Sequence, residues 1–164
     1  MGAECHHHDI AQSGLIGASL DLALGQAETR CLSTRERLTP PRRRVLELLL
    51  QAEGPLKAYD LIAAFGLRGE PAKPPTVYRA LEFLERMGFV HRIESLNAYV
   101  SCRRDAESHK AAFLICDCCG AAQEFDPDLL NRLSPVDIAG YALRSVTLEA
   151  HGLCPTCQGE TAPI

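Results

Sequence analysis

The sequence predicts an α+β protein: an N-terminal winged helix-turn-helix domain, then a small C-terminal α/β domain built around a four-cysteine zinc site. Three observations carry that prediction. Charge is divided along the 164 residues, although the net value is only -4. Residues 30–104 hold 14 basic and 8 acidic side chains, residues 105–164 hold 3 and 9, and residues 1–29 hold none and 4. Three punctuated helical patterns run directly into a period-two alternation. Two C-x-x-C pairs lie near the C-terminus with 34 residues between them. A basic middle beside an acidic end suits a polyanion-binding surface joined to a segment rich in carboxylates.

Each helix has its own punctuation. Leu15, Ile16, Leu20, Leu22, Leu24 and Cys31 stand among alanines and polar residues between Ile10 and Arg35, which predicts an amphipathic helix. Thr39 precedes Pro40-Pro41 and the apolar run Val45–Leu50, so Thr39 reads as an N-cap and Pro40 as the first helical residue. Gly54-Pro55 breaks that helix. Ala58, Leu61, Ile62 and Phe65 recur at helical spacing up to Gly66, and a turn-rich connection spans Gly69–Pro75. Val77, Ala80, Leu81, Leu84 and Met87 then form one face of a third helix that Gly88 closes, with Tyr78, Arg79, Glu82 and Arg86 opposite. Phe89–Glu94 and Ala98–Cys102 alternate around Ser95-Leu96-Asn97 as a two-stranded wing.

In such a domain Pro74–Met87 is the recognition helix, and its exposed early residues meet base edges. Arg79 can pair in bidentate fashion with guanine, and Tyr78 can pack on a thymine methyl group. Thr76 shares that first turn. Arg42 and Arg43, at the start of the preceding helix, are candidate phosphate contacts. The bland alternative is a solvated face with Arg79 paired to Glu82. Residues 1–102 form this first domain, 103–110 a hinge beginning with the polar run Arg103–Ser108, and 111–164 the second domain.

The second domain predicts a strand at Ala111–Ile115, a helix at Pro127–Leu133 and a strand at Tyr141–Glu149. A unit of roughly 55 residues buries too little apolar surface to be secure alone, so a structural metal is a natural staple. Cys116, Cys119, Cys154 and Cys157 supply it: two knuckles present four thiolates, a tetrahedral set that Zn²⁺ accepts without redox cost. A rubredoxin-like iron centre would use the same four sulfurs. A redox dithiol lacks its βαβ context, and zinc deaminase chemistry lacks the H-x-E element. Cys118 reads as a bystander or an oxidation-sensitive thiol; Cys5 and Cys31 carry no motif, and the tract His6–His8 is not interpretable alone. No nucleophile–base pair or phosphate-cradling glycine loop is present, so no catalytic residue is predicted. No 18-residue apolar run and no basic n-region occur, and eight cysteines without a secretory signal fit metal or thiol chemistry in a reducing cytoplasm.

Taken together, Leu38-Thr39-Pro40-Pro41-Arg42, Pro75-Thr76-Val77-Tyr78-Arg79-Ala80-Leu81, Gly88-Phe89-Val90-His91, Cys116–Gly120 and the final C-x-x-C resemble the ferric-uptake-regulator superfamily, over roughly residues 15–158. Lys73–Arg79, Phe113–Asp117 and Glu149–Cys154 look like its zinc-responsive branch. The iron-responsive branch carries a His-His-Asp-His cluster before the first knuckle; Lys110-Ala111-Ala112-Phe113 stands there instead. The resemblance implies a cytoplasmic homodimer, joined through the C-terminal domains, that binds operator DNA when zinc-loaded and represses zinc-uptake genes. It implies two Zn²⁺ per subunit, one structural and one regulatory, the latter on His91, Cys102, His109 and Glu124. Imidazole, thiolate and carboxylate are all sound zinc donors. His151 could serve as a partner of a ligand or as a ligand of an additional site. It implies neither a membrane nor a small-molecule substrate other than zinc. An iron-, manganese- or peroxide-responsive member of the superfamily is the alternative within it, and a rubredoxin-like electron carrier the alternative outside it.

Overall fold

The computed structural model describes residues 14–66, 73–102, 111–125 and 147–160. These fall into two compact units, one within residues 12–107 and one within 108–164. The expected hinge, the helix at Pro127–Leu133, His109, Cys5 and His6–His8 lie outside the described residues.

The first unit begins with α1 (Gly17–Ser33) and α2 (Pro40–Gln51). On α1 the buried residues are Leu20, Leu24, Ala27 and Cys31, a single stripe at helical spacing. Ile16 and Leu22, expected on that stripe, face solvent at 77% and 65% exposure, because the stripe's phase is set by packing on α2. The Cys31 thiol is pushed up by burial, so it is an inert core side chain. Thr39 has the extended backbone of an N-cap, yet its hydroxyl makes no capping bond; Pro40 and Pro41, lacking N–H donors, leave less to cap.

A two-residue strand β1 (Leu56–Lys57) leads into α3 (Ala58–Phe65), where the Asp60 carboxylate accepts from the Lys57 N–H at 3.2 Å. Gly66 ends α3 with an ordinary right-handed φ of -75°. Next comes α4 (Pro74–Arg86), which buries Val77, Ala80, Leu81, Phe83 and Leu84 against α2. Gly88 closes it at φ +71°: its N–H bonds to the Glu85 carbonyl and the Phe89 N–H to the Leu84 carbonyl, a pattern that favours glycine. β2 (Val90–Ile93) and β3 (Ala98–Ser101) pair antiparallel with Val90 opposite Ser101, and β1 adds to the far side of β3. The sheet order β1-β3-β2 on three helices is a winged helix-turn-helix.

Among the described residues, the second unit holds a three-stranded sheet of β4 (Ala111–Cys116), β5 (Ala122–Glu124) and β6 (Thr147–Gly152), in the order β5-β4-β6, followed by α5 (Pro155–Glu160). The last strand runs three residues beyond the expected Glu149, through His151 to Gly152. β4 and β6 are parallel, with Ile115 opposite His151 and Cys116 opposite Gly152. That pairing decides the site: both strands deliver their C-x-x-C sequences to the same end of the sheet.

Candidate metal centre and nucleic-acid interface

At the shared end of β4 and β6, one sulfur each from Cys116, Cys119, Cys154 and Cys157 lies within 4.8 Å of the others. The first knuckle turns tightly: the Gly120 N–H donates to the Cys116 carbonyl at 2.9 Å, and Gly120 has φ +72°. The second knuckle starts α5, with Cys154 before it and Cys157 inside it. The Cys154 N–H donates to Cys116 Sγ at 3.3 Å, and the sulfurs of Cys119 and Cys154 are 4.0 Å apart. Thiolates about 2.3 Å from a tetrahedral ion stand about 3.8 Å apart, so the cage is already close to the size that such an ion needs.

The thiols are not equivalent. Burial pushes Cys116 up, but backbone N–H groups of Cys119, Cys154 and Cys118 aimed at its sulfur more than offset this and hold it at about 6. Cys119 is pushed up, first by burial. Cys157 is also pushed up, first by its hydrogen bond with the Cys154 side chain and then by burial. Amide-stabilised sulfur beside three further donors is the chemistry of a soft, cysteine-ligated cation. Cys118, in the same turn, is exposed.

On the wing, the register sets His91 opposite Val100, so Cys102, two residues on, shares its face. Their ligand atoms lie within 4.8 Å of each other, and both residues are half-buried. The Cys102 N–H donates to the Phe89 carbonyl at 2.8 Å, which continues the ladder past β3 and fixes that thiol. Glu124 ends β5 in the second unit, half-buried and paired across the strands with Phe113. His109 lies outside the described residues.

The outer face of α4 is polar as expected. Tyr78 is 48% exposed, and Arg79 and Glu82 are exposed beside it. Arg79 makes no ion pair among the described residues, so the Arg79–Glu82 alternative does not form there. Arg86 bonds Glu36 at 2.8 Å. Thr76 is half-buried in the first turn, whose Pro74-Pro75 start carries no acidic residue. Arg42 is engaged in a way that spacing did not predict. Its guanidinium stacks 3.5 Å from the centre of the buried Phe83 ring and donates to the Arg37 carbonyl at 2.7 Å. Arg43 holds only a loose pair with Glu28, at 3.7 Å and half-exposed.

A model of the ferric uptake regulator family matches residues 33–151, from the end of α1 through the recognition helix, the wing and the first knuckle. The chain belongs to that family. It is 45% identical over 139 residues to the zinc uptake regulation protein of Escherichia coli strain K12, covering 82% of this chain and 80% of that protein. Its fold resembles a zinc uptake regulator solved in complex with zinc and DNA, with TM-score 0.82 and 42% identity over 90% of this chain and all of the other. It also resembles holo XcZur, with TM-score 0.73 and 41% identity over 83% and 96%. Within this family frame, the residues missed by sequence reasoning are Phe83, the platform under Arg42, and Asp117, which bonds His151. Phe83 is not on the apolar face expected for this helix, and nothing in the spacing connects it to Arg42, 41 positions away.

Proposed function

We propose that this family member is a zinc-responsive transcriptional repressor, not an enzyme. It acts in the cytoplasm as a homodimer that binds operator DNA when zinc-loaded and represses zinc-uptake genes. One observation carries the reading: His91 and Cys102 present a nitrogen and a sulfur within 4.8 Å on one face of the wing, in a chain 45% identical to a zinc uptake regulation protein. Zinc accepts both donors. The stretch before the first knuckle, Lys110–Phe113, lacks the histidines that an iron-responsive member would place there.

In this reading Cys116, Cys119, Cys154 and Cys157 hold a structural zinc, and His91, Cys102, His109 and Glu124 hold a regulatory one. Bound zinc supplies a crosslink between donors of the DNA-binding and dimerisation domains. The protein's own residues do the rest. Arg79 and Tyr78 read base edges from α4, Thr76 lines the same turn, and Arg43 contacts phosphate. Arg42 serves the interface by pinning the start of α2 to Phe83 of α4. A dimer must present two recognition helices at a spacing set by the DNA repeat, and fixing each domain's orientation lowers the ordering cost of binding. The ligand set favours the DNA-competent arrangement, and by linkage DNA tightens zinc by the same factor, about 5–150-fold.

Cys102→Ser tests the assignment. The variant is expected to keep its dimer and one tightly held zinc per subunit, yet lose zinc-dependent operator binding. A variant that titrates zinc and binds operator like the parent would place the sensor elsewhere, with His151 and His6–His8 the next residues to change.

A further inference from the structure

Between the two knuckles lies a contact that the ligand set does not use. Asp117 sits inside the first knuckle, one residue after Cys116. His151 is the last residue but one of β6, the strand leading to the second, three residues before Cys154. His151 Nδ1 and Asp117 Oδ1 are 3.0 Å apart, and the Asp117 N–H donates to the Gly152 carbonyl at 2.8 Å. The other ring nitrogen of His151 faces Glu149 Oε2 at 3.9 Å. An imidazole whose two nitrogens face different carboxylates is held in orientation by them and is not arranged to chelate one ion with both. The two bonds of Asp117 therefore tie the cysteine turn that follows β4 to the last residues of β6.

Resting on the zinc reading of the four cysteines, we propose that Asp117 and His151 are positioning residues that lock the two knuckles in register, so that the four sulfurs stay gathered and the zinc leaves slowly. The parallel pairing of Cys116 with Gly152 aligns the strands only up to the knuckles. Beyond it, the bonds between the two turns include the Asp117 pair, the contact of Cys154 N–H with Cys116 Sγ, and the Cys119–Cys154 sulfur contact. An exposed ion pair of this kind acts only on the geometry of the turns, so its removal is a several-fold effect, about 2–5-fold. Both side chains are substantially exposed, at 41% and 60%, so their replacement leaves no buried cavity.

The test uses the full-length, zinc-loaded protein and follows zinc transfer to an excess of chelator. Asp117→Ala and His151→Ala should each speed zinc loss about 2–5-fold. The double variant should be no faster than the faster single one, since both changes open the same clamp. Asp117→Asn, which keeps an oxygen to accept from Nδ1–H, should recover most of the wild-type rate. Cobalt-substituted forms of all variants should keep the wild-type sulfur-to-metal absorption bands, because the ligands are unchanged. Unchanged rates in both alanine variants would overturn the clamp. So would a changed cobalt spectrum in His151→Ala, which would make His151 a ligand. A wild-type protein that binds no zinc at the four cysteines would overturn the underlying metal reading instead.

Discussion

Removing the ring beneath Arg42 should loosen the DNA-binding unit in a way that can be apportioned. Phe83 is 3% exposed on α4, with the Arg42 guanidinium 3.5 Å above its centre and Arg86 at 5.3 Å. Phe83→Leu keeps an apolar side chain but removes the π face and some volume. The cation–π contact of a half-desolvated arginine contributes about 1 kcal/mol. The lost ring volume adds about 1 kcal/mol more, for a total near 2 kcal/mol. Arg42→Met keeps the aliphatic stem but loses the stacking and the bond to the Arg37 carbonyl. A double-mutant cycle on zinc-loaded protein, by urea unfolding followed with far-UV circular dichroism, should give a coupling of about 0.5–1 kcal/mol. A coupling under about 0.3 kcal/mol would refute shared energy between ring and guanidinium. The same pair separates two roles in DNA binding. If Arg42 acts through packing, Arg42→Met lowers operator affinity without changing its salt dependence. A phosphate contact would flatten the slope of log K against log salt by about 1.

Arg79→Ala should cost about 1–3 kcal/mol on operator DNA and relax sequence preference there; equal losses on operator and random DNA in an anisotropy titration would mark Arg79 as a phosphate contact. Arg43→Ala should weaken binding on all sequences alike and lower the salt slope by about 1, which a salt series on two unrelated duplexes measures. Cys116→Ser should abolish zinc retention, unfold the small second domain and remove the dimer; a stable dimer with unchanged zinc content, by sedimentation and metal analysis, would contradict it. Regulatory zinc should weaken as pH falls toward the ordinary histidine value of about 6.5, because ligation needs a neutral imidazole; this loss should be shallower than in a His91→Cys variant measured in parallel, whose added thiol, with an ordinary value of about 8.5, competes for protons from higher pH downward.

Much of the fold was legible because its signals are local. Pro40-Pro41, Gly66 and Gly88 bound helices within a residue or two, and the alternation after Gly88 is the wing itself. The four-cysteine cage was equally legible, since C-x-x-C spacing is a property of each knuckle. What escaped depends on tertiary phase. Ile16 and Leu22 have the right polarity for the buried stripe of α1, but Leu20, Leu24, Ala27 and Cys31 define a different face once α2 is packed against it. Leu56–Lys57 and Ala122–Glu124 are too short to show a period, and they become strands only because β3 and β4 offer them an edge. The roles of Arg42 and Asp117 depend on partners 41 and 34 positions away, a distance at which spacing carries no information.

Operator binding by this chain is expected to be switched by zinc. The most direct test is operator anisotropy with the wild-type protein, its structural zinc retained, across a series of buffered free zinc concentrations, with parallel series in Fe²⁺ and Mn²⁺. Affinity should rise by about 5–150-fold over a single zinc transition, and the other two ions should reproduce it only at far higher free concentrations. Operator affinity that does not change with free zinc, or that rises first with Fe²⁺ or Mn²⁺, would contradict a zinc switch.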